Sequence, residues 1–269
     1  MKLSIFTTLT NPSERGDNWR DALRCYRELA DEVVVINGGD TLGLKANDGV
    51  DRIISSPWPE EFEWPFIGQQ FQKGYESSTG DWVIHMDCDL LFHQNDFGKI
   101  RQAFRDYPNA PAVSFYKWQF ILPDRFNLKS RLILAVNKGI YGDRIKFDSG
   151  GDLCQPSLDG KELNLDEIPQ AGVPFYNYEK MTKTLPQVKS DVERMARAWN
   201  RTFGDNKLGE NDEEAFEEWL MMMQGRFTKP HEFIPLPSHP KFVQQTIARL
   251  TPEQWGFDGF GSLERNRYA

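Results

Sequence analysis

Two carboxylates stand two residues apart in Asp87-Cys88-Asp89, directly after the largely apolar run Trp82-Val83-Ile84-His85-Met86. Ionised carboxylates are costly to bury unless cations or hydrogen-bond donors compensate them. Placed together at a strand end, they suit a hard divalent cation, Mn2+ or Mg2+, which takes oxygen ligands. Such a cation can neutralise the charge of a departing diphosphate. In open α/β sheets, ligands bind beyond the carboxyl ends of the strands, which is where this pair would lie. A second acidic segment, Phe147-Asp148-Ser149-Gly150-Gly151-Asp152, sets carboxylates beside two glycines that permit close approach to a ligand.

The elements that must position these groups are legible from periodicity. Residues 3–8 read as a short buried strand, and 18–30 as a helix with Trp19, Ala22, Leu23, Tyr26 and Leu29 on one face and Asp17 as its N-cap. The β-branched run 32–36 reads as a central parallel strand, ending in the loop Asn37-Gly38-Gly39-Asp40. Further strands are expected over 51–54, 81–86 and 112–120, and helices over 67–78, 96–106, 186–200 and 211–224. This β-loop-α-β order predicts an α/β fold with right-handed parallel crossovers. Residues 121–175 read as long functional loops with an antiparallel edge. Trp58 and Trp64 flank a Pro-rich loop and suit either the core or stacking on a sugar or base.

A chain of 269 residues accommodates one large domain, or one domain with an annex. The net charge of −8 argues against general attraction to a phosphate backbone. The basic stretch Arg125, Lys129, Arg131, Lys138, Arg144 and Lys146 reads as a solvated or phosphate-facing loop before it reads as a DNA track. Three irregularly spaced cysteines give no disulfide framework, and the opening apolar run is too short for a signal peptide. No stretch approaches the ~20 apolar residues of a membrane span. The expectation is a cytoplasmic chain with no transmembrane segment.

Leu3 to Thr8, Leu29 to Thr41 and Thr79 to Asp89 together resemble the family 2 glycosyltransferases, over roughly the first third of the chain. The resemblance implies a GT-A fold, with a mostly parallel central sheet flanked by helices. A nucleotide-sugar-binding and catalytic core would span 1–180, and a mainly helical or irregular extension 181–269. It implies a divalent metal and a nucleoside-diphosphate sugar donor, of UDP type, in an inverting transfer to an acceptor hydroxyl. By position, Thr8 would contact the nucleotide, and Asn37, Gly39 and Asp40 would hold base and ribose. Asp87 would meet ribose or metal, and Asp89 the metal. Val173 to Tyr178 resembles a stretch where relatives carry His-Tyr-Gly, and Ser238-His239-Pro240 a His-Pro near the end of some members. Asn177 and His239 thereby join the metal candidates. The carboxylate base would be Asp152 or Asp148. The acceptor implied is a saccharide, a lipid-linked group or, as in some phage enzymes, a hydroxymethylated DNA base. Asn37 and Asn177 depart from the family pattern, which leaves a GT-A-like binding protein without catalysis as an alternative.

Overall fold

The computed structural model describes residues 1–39, 43–44 and 48–263. In chain order its elements begin with β1 (Leu3–Leu9), α1 (Trp19–Leu29), β2 (Glu32–Asn37), β3 (Arg52–Ser55), α2 (Pro65–Ser77), β4 (Trp82–His85) and β5 (Leu90–Phe92). There follow α3 (Phe97–Asp106), β6 (Ala112–Leu122), β7 (Arg125–Asn137), α4 (Lys138–Tyr141), β8 (Ile145–Ser149), β9 (Gln155–Leu158), β10 (Lys161–Glu162) and β11 (Gln170–Asn177). The last elements are α5 (Leu185–Phe203), α6 (Asp212–Phe227), β12 (Glu232–Phe233), α7 (Gln244–Ala248) and α8 (Trp255–Asp258).

The α/β class with a large central sheet flanked by helices is as expected. The sheet runs β3-β2-β1-β4-β7-β6-β11-β5, with β12 added to β7. Parallel pairing is concentrated in the first half, β3-β2-β1-β4. Strand alternation explains why both faces of that half are covered. Leu3, Ile5, Val33, Val35 and Ile84 point to the α1 side, into one apolar cluster. Phe6, Val34, Ile36 and Val83 point to the other, against Phe71 and Tyr75 of α2. Buried on both sides, these strands read as continuous apolar runs.

The sequence reading of 121–175 needs correction. Much of it is regular: β7 is a 13-residue strand paired with β6, and β8, β9 and β10 form a separate small sheet. Arg125, Lys129 and Arg131 broke the apolar pattern over β7, and only its pairing partners identify it as a strand. The segment after 180 supplies α5 and α6, which pack with Ile121 and Trp255 in a third apolar cluster. It also returns a strand, β12, to the main sheet. Among the described residues no helix is long and apolar enough to cross a membrane.

Candidate active site

At residue 86 the chain leaves β4 and re-enters the sheet at its far edge as β5, antiparallel to β11. Asp87-Cys88-Asp89 is the connecting turn. It is fixed by backbone: Leu90 N donates to the Asp87 carbonyl (2.9 Å), and Tyr178 N to the Asp89 carbonyl (2.9 Å). The buried Tyr26 hydroxyl of α1 lies 2.6 Å from the Asp87 carbonyl oxygen and 3.0 Å from that of Leu90. Helix α1 thus holds the turn from below and leaves the carboxylates facing a cleft of about 760 Å³.

The two carboxylates differ. Asp87 lies with Oδ1 3.3 Å from Nε2 of His85, and its side chain is half open to the cleft. Enclosure by the cleft walls works to raise its pKa, but His85, Lys117 and Arg15 outweigh that and hold it below the usual carboxylate range. His85 is itself clamped between the rings of Phe6 (5.0 Å) and Phe71 (3.8 Å). Asp89 is pushed up to about 7, by enclosure first and then by Asp87 and Glu179. The site therefore carries more carboxylate charge than its neighbours compensate.

Another part of the cleft lining is cationic. Asp191 of α5 accepts from Arg15 Nε (3.0 Å), Lys183 Nζ (2.6 Å) and Lys180 Nζ (3.2 Å). Asp17, expected to cap α1, instead pairs with Lys183 at 2.5 Å. Lys183 also donates to the Arg15 carbonyl (2.9 Å), and the Thr182 hydroxyl to that of Gly16 (2.7 Å). These bonds tie the loop after β1 to the segment before α5. Together with Arg194, three further cations thus converge on two carboxylates at the cleft wall.

The other expected residues are distributed as follows. Thr8 lines the cleft, and so does Asn177, whose side-chain oxygen accepts from Glu179 N at 2.9 Å. Asn37 and Gly39 lie behind the wall. The Asn37 side chain accepts from Gly39 N (3.2 Å), and Gly38 is pressed against Trp58, where a Cβ would come within 2.0 Å of the indole. Asp40 lies outside the described residues. Trp58 and Trp64 both face the cleft. Asp152 lines it too, held in its turn by Cys154 N and Gln155 Nε2, each at 3.2 Å. That turn sits on α2 at Gly68, where a Cβ would lie 2.5 Å from the Phe147 carbonyl oxygen, so only glycine admits the contact.

Two further candidates, besides Asn37 and Gly39, are not brought to the cleft. Asp148 is on the outer side of β8, accepting from the Ser157 hydroxyl at 2.6 Å. His239 is buried among Phe120 and Tyr178, with Nδ1 2.8 Å from the Tyr178 hydroxyl. Burial pushes its pKa down to about 4, which marks a neutral core imidazole. The basic stretch is also dispersed. Arg125 is buried against Asp124, Lys138 donates to the carbonyls of Tyr75 and Ser78, and Arg144 pairs with Asp159.

Sequence reading missed Glu179, His85 as a partner of Asp87, and the Arg15–Asp191 cluster. Only His85 carried a local signal, standing two residues before Asp87 at the end of β4. Asp87 and Asp89 fit a divalent cation of the kind that takes its remaining ligands from substrate phosphate and water. Among the described residues no third His, Cys, Asp or Glu completes an all-protein cage.

No family model and no curated protein sequence matches the chain. Several solved structures are similar in shape. The Staphylococcus aureus TarS fragment 1–349 is 12% identical, covering 84% of this chain and 80% of that one, with a TM-score of 0.44. The mannosyltransferase PcManGT from Pyrobaculum calidifontis, in complex with GDP-Man and Mn2+, is 16% identical over 51% of this chain and 44% of its own, TM-score 0.35. Glucosyl-3-phosphoglycerate synthase from Mycobacterium tuberculosis, with Mn2+, UDP and glucosyl-3-phosphoglycerate, is 15% identical over 44% and 43%, TM-score 0.30. The chain thus spans less than half the length of the latter two.

Proposed function

We propose that the chain is a metal-dependent glycosyltransferase. It would move a sugar from a nucleoside-diphosphate sugar, of UDP type, to an acceptor hydroxyl with inversion. The observation that carries this reading is the cleft itself. A carboxylate pair at a strand end and the cations Arg15, Lys180 and Lys183 line one cleft, together with Thr8 and Trp58. The cations would give a diphosphate charge-assisted hydrogen bonds, and the carboxylates would hold a divalent cation that neutralises it.

Asp87 and Asp89 would hold the cation, which supplies Lewis-acid neutralisation of the diphosphate. Arg15, Lys180 and Lys183 would bind the same phosphates directly. Trp58 offers a ring face near the loop after β1, for the base. Asp152, which no cation pairs with among the described residues, would take the proton of the acceptor hydroxyl. The acceptor oxygen then bonds to the anomeric carbon as the bond to the diphosphate oxygen breaks, and the negative charge leaves on the diphosphate.

Calorimetry tests the donor half. UDP should bind in the presence of Mn2+ and weaken at least tenfold when the metal is chelated; no binding of any nucleoside diphosphate with metal present would end the reading. Asp152→Asn tests the base. It should lower kcat by roughly 10²–10⁴, with nucleotide affinity unchanged. Full turnover in that variant, with loss in Glu179→Gln, would transfer the role to Glu179.

A further inference from the structure

A second cationic cluster adjoins the cleft. Strands β6 and β7 pair with Lys117 directly opposite Lys129. Like charges placed opposite each other on neighbouring strands destabilise a sheet. The chain after α6 adds to the repulsion. β12 pairs antiparallel with β7, Glu232 opposite Phe126, and the Asn127 amide donates to the Pro230 carbonyl at 2.9 Å. This brings Lys229 alongside Lys129. Arg226, from the last turn of α6, completes the group.

Among the described residues one carboxylate, Glu179, forms an ion pair within the group, and Lys117 also acts on Asp87 and Asp89. Glu179 pairs with Arg226 at 3.1 Å and accepts from Gln119 at 2.8 Å. Among the described residues Lys117, Lys129 and Lys229 make no ion pair. The group is compact and does not continue as a track, because Arg125, Lys138 and Arg144 are committed elsewhere. It is also continuous with the site, since Lys117, Arg226 and Glu179 line the cleft. An anion placed among these cations would relieve the repulsion between them.

We infer that Lys117, Lys129, Lys229 and Arg226 form an acceptor subsite for a phosphate group, so that the acceptor hydroxyl belongs to a phosphate-bearing molecule. This rests on the glycosyltransferase reading for the word acceptor, while the anion site stands on its own geometry. The phosphate oxygens would take charge-assisted hydrogen bonds from the ammonium and guanidinium donors. The acceptor's hydroxyl-bearing portion would then extend towards Asp89 and Asp152.

The test is titration of the full chain with inorganic phosphate, comparing wild type with the Lys129→Ala/Lys229→Ala double variant. Lys229 is exposed and Lys129 is half-buried without an ion pair among the described residues, so the fold should tolerate the change, and matching denaturation midpoints would verify that. The double variant should bind phosphate about tenfold more weakly or worse. Equal phosphate affinity in the two proteins would overturn the inference. So would a duplex oligonucleotide that binds far more tightly than phosphate, with a steep salt dependence lost in the variant, because that describes a nucleic-acid track. UDP binding with Mn2+, measured separately on wild type, distinguishes the two failures. Phosphate binding lost in the variant without any nucleotide binding would keep the anion site and remove the transferase reading. Nucleotide binding with no phosphate difference would do the reverse.

Discussion

Asp89→Asn should lower glycosyl transfer by about two to three orders of magnitude and leave the protein as stable as wild type, or more so. The loss follows from the chemistry proposed for the pair. Lewis-acid neutralisation of a leaving diphosphate is worth several kcal/mol, and each ~1.4 kcal/mol is a factor of ten in rate. An amide keeps the shape of the side chain but not its charge, so metal affinity falls while the turn survives. The turn depends on backbone bonds, from Leu90 N to Asp87 and from Tyr178 N to Asp89, which the substitution does not touch. Stability moves the other way because enclosure, and then the nearby Asp87 and Glu179, push the Asp89 carboxyl up to about 7. Ionising a group whose folded-state pKa is raised costs the folded state, and the cost grows as pH rises from the unfolded pKa of about 3.9. Removing the charge removes that cost. Kinetic assay and denaturant unfolding without metal read the two effects. A variant with wild-type turnover, or one that unfolds far more readily, would contradict the role assigned to Asp89.

The second large effect is expected at Asp191, and on stability. Asp191→Asn should destabilise the fold by about 3 kcal/mol, within the range for breaking one side of a buried ion pair. Asp191 is 3% exposed and receives Arg15, Lys180 and Lys183 together. Its replacement would leave those cations, and Arg194 beside them, with Asp17 as their nearby carboxylate. Burial works to raise the Asp191 pKa, but Lys180, Arg15 and Lys183 outweigh it and hold it far below the usual carboxylate range. For a depressed carboxylate the contribution to stability is fully present above the unfolded pKa, about 3.9, and is lost as pH falls below it. The wild type should therefore lose stability on acidification below about pH 4 more steeply than the variant. Urea midpoints at pH 7 and pH 3 would show this as a gap that narrows at the lower pH. A gap equal at both values would mean that packing, not charge, sets the effect of the substitution.

The sequence by itself determined the parallel half of the fold and the floor of the site. Runs such as Glu32-Val33-Val34-Val35-Ile36 are apolar because both faces of those strands are covered, and that pattern is local. The carboxylates of Asp87 and Asp89 were visible because a strand and its end lie next to each other in the chain. Tertiary structure alone decided the rest. Arg15 and Asp191 are 176 positions apart, and Lys117 and Lys229 meet only through β7 and β12. Residues that approach each other through sheet pairing share no spacing, so no period in the sequence reveals them. The same reason removed His239 and Asp148 from the site. Each had a suitable side chain, but His239 folds inward against Phe120 and Tyr178, and Asp148 points outward to Ser157. Chemistry-bearing types are written in the sequence, whereas the side of the sheet on which they gather is fixed by long-range pairing.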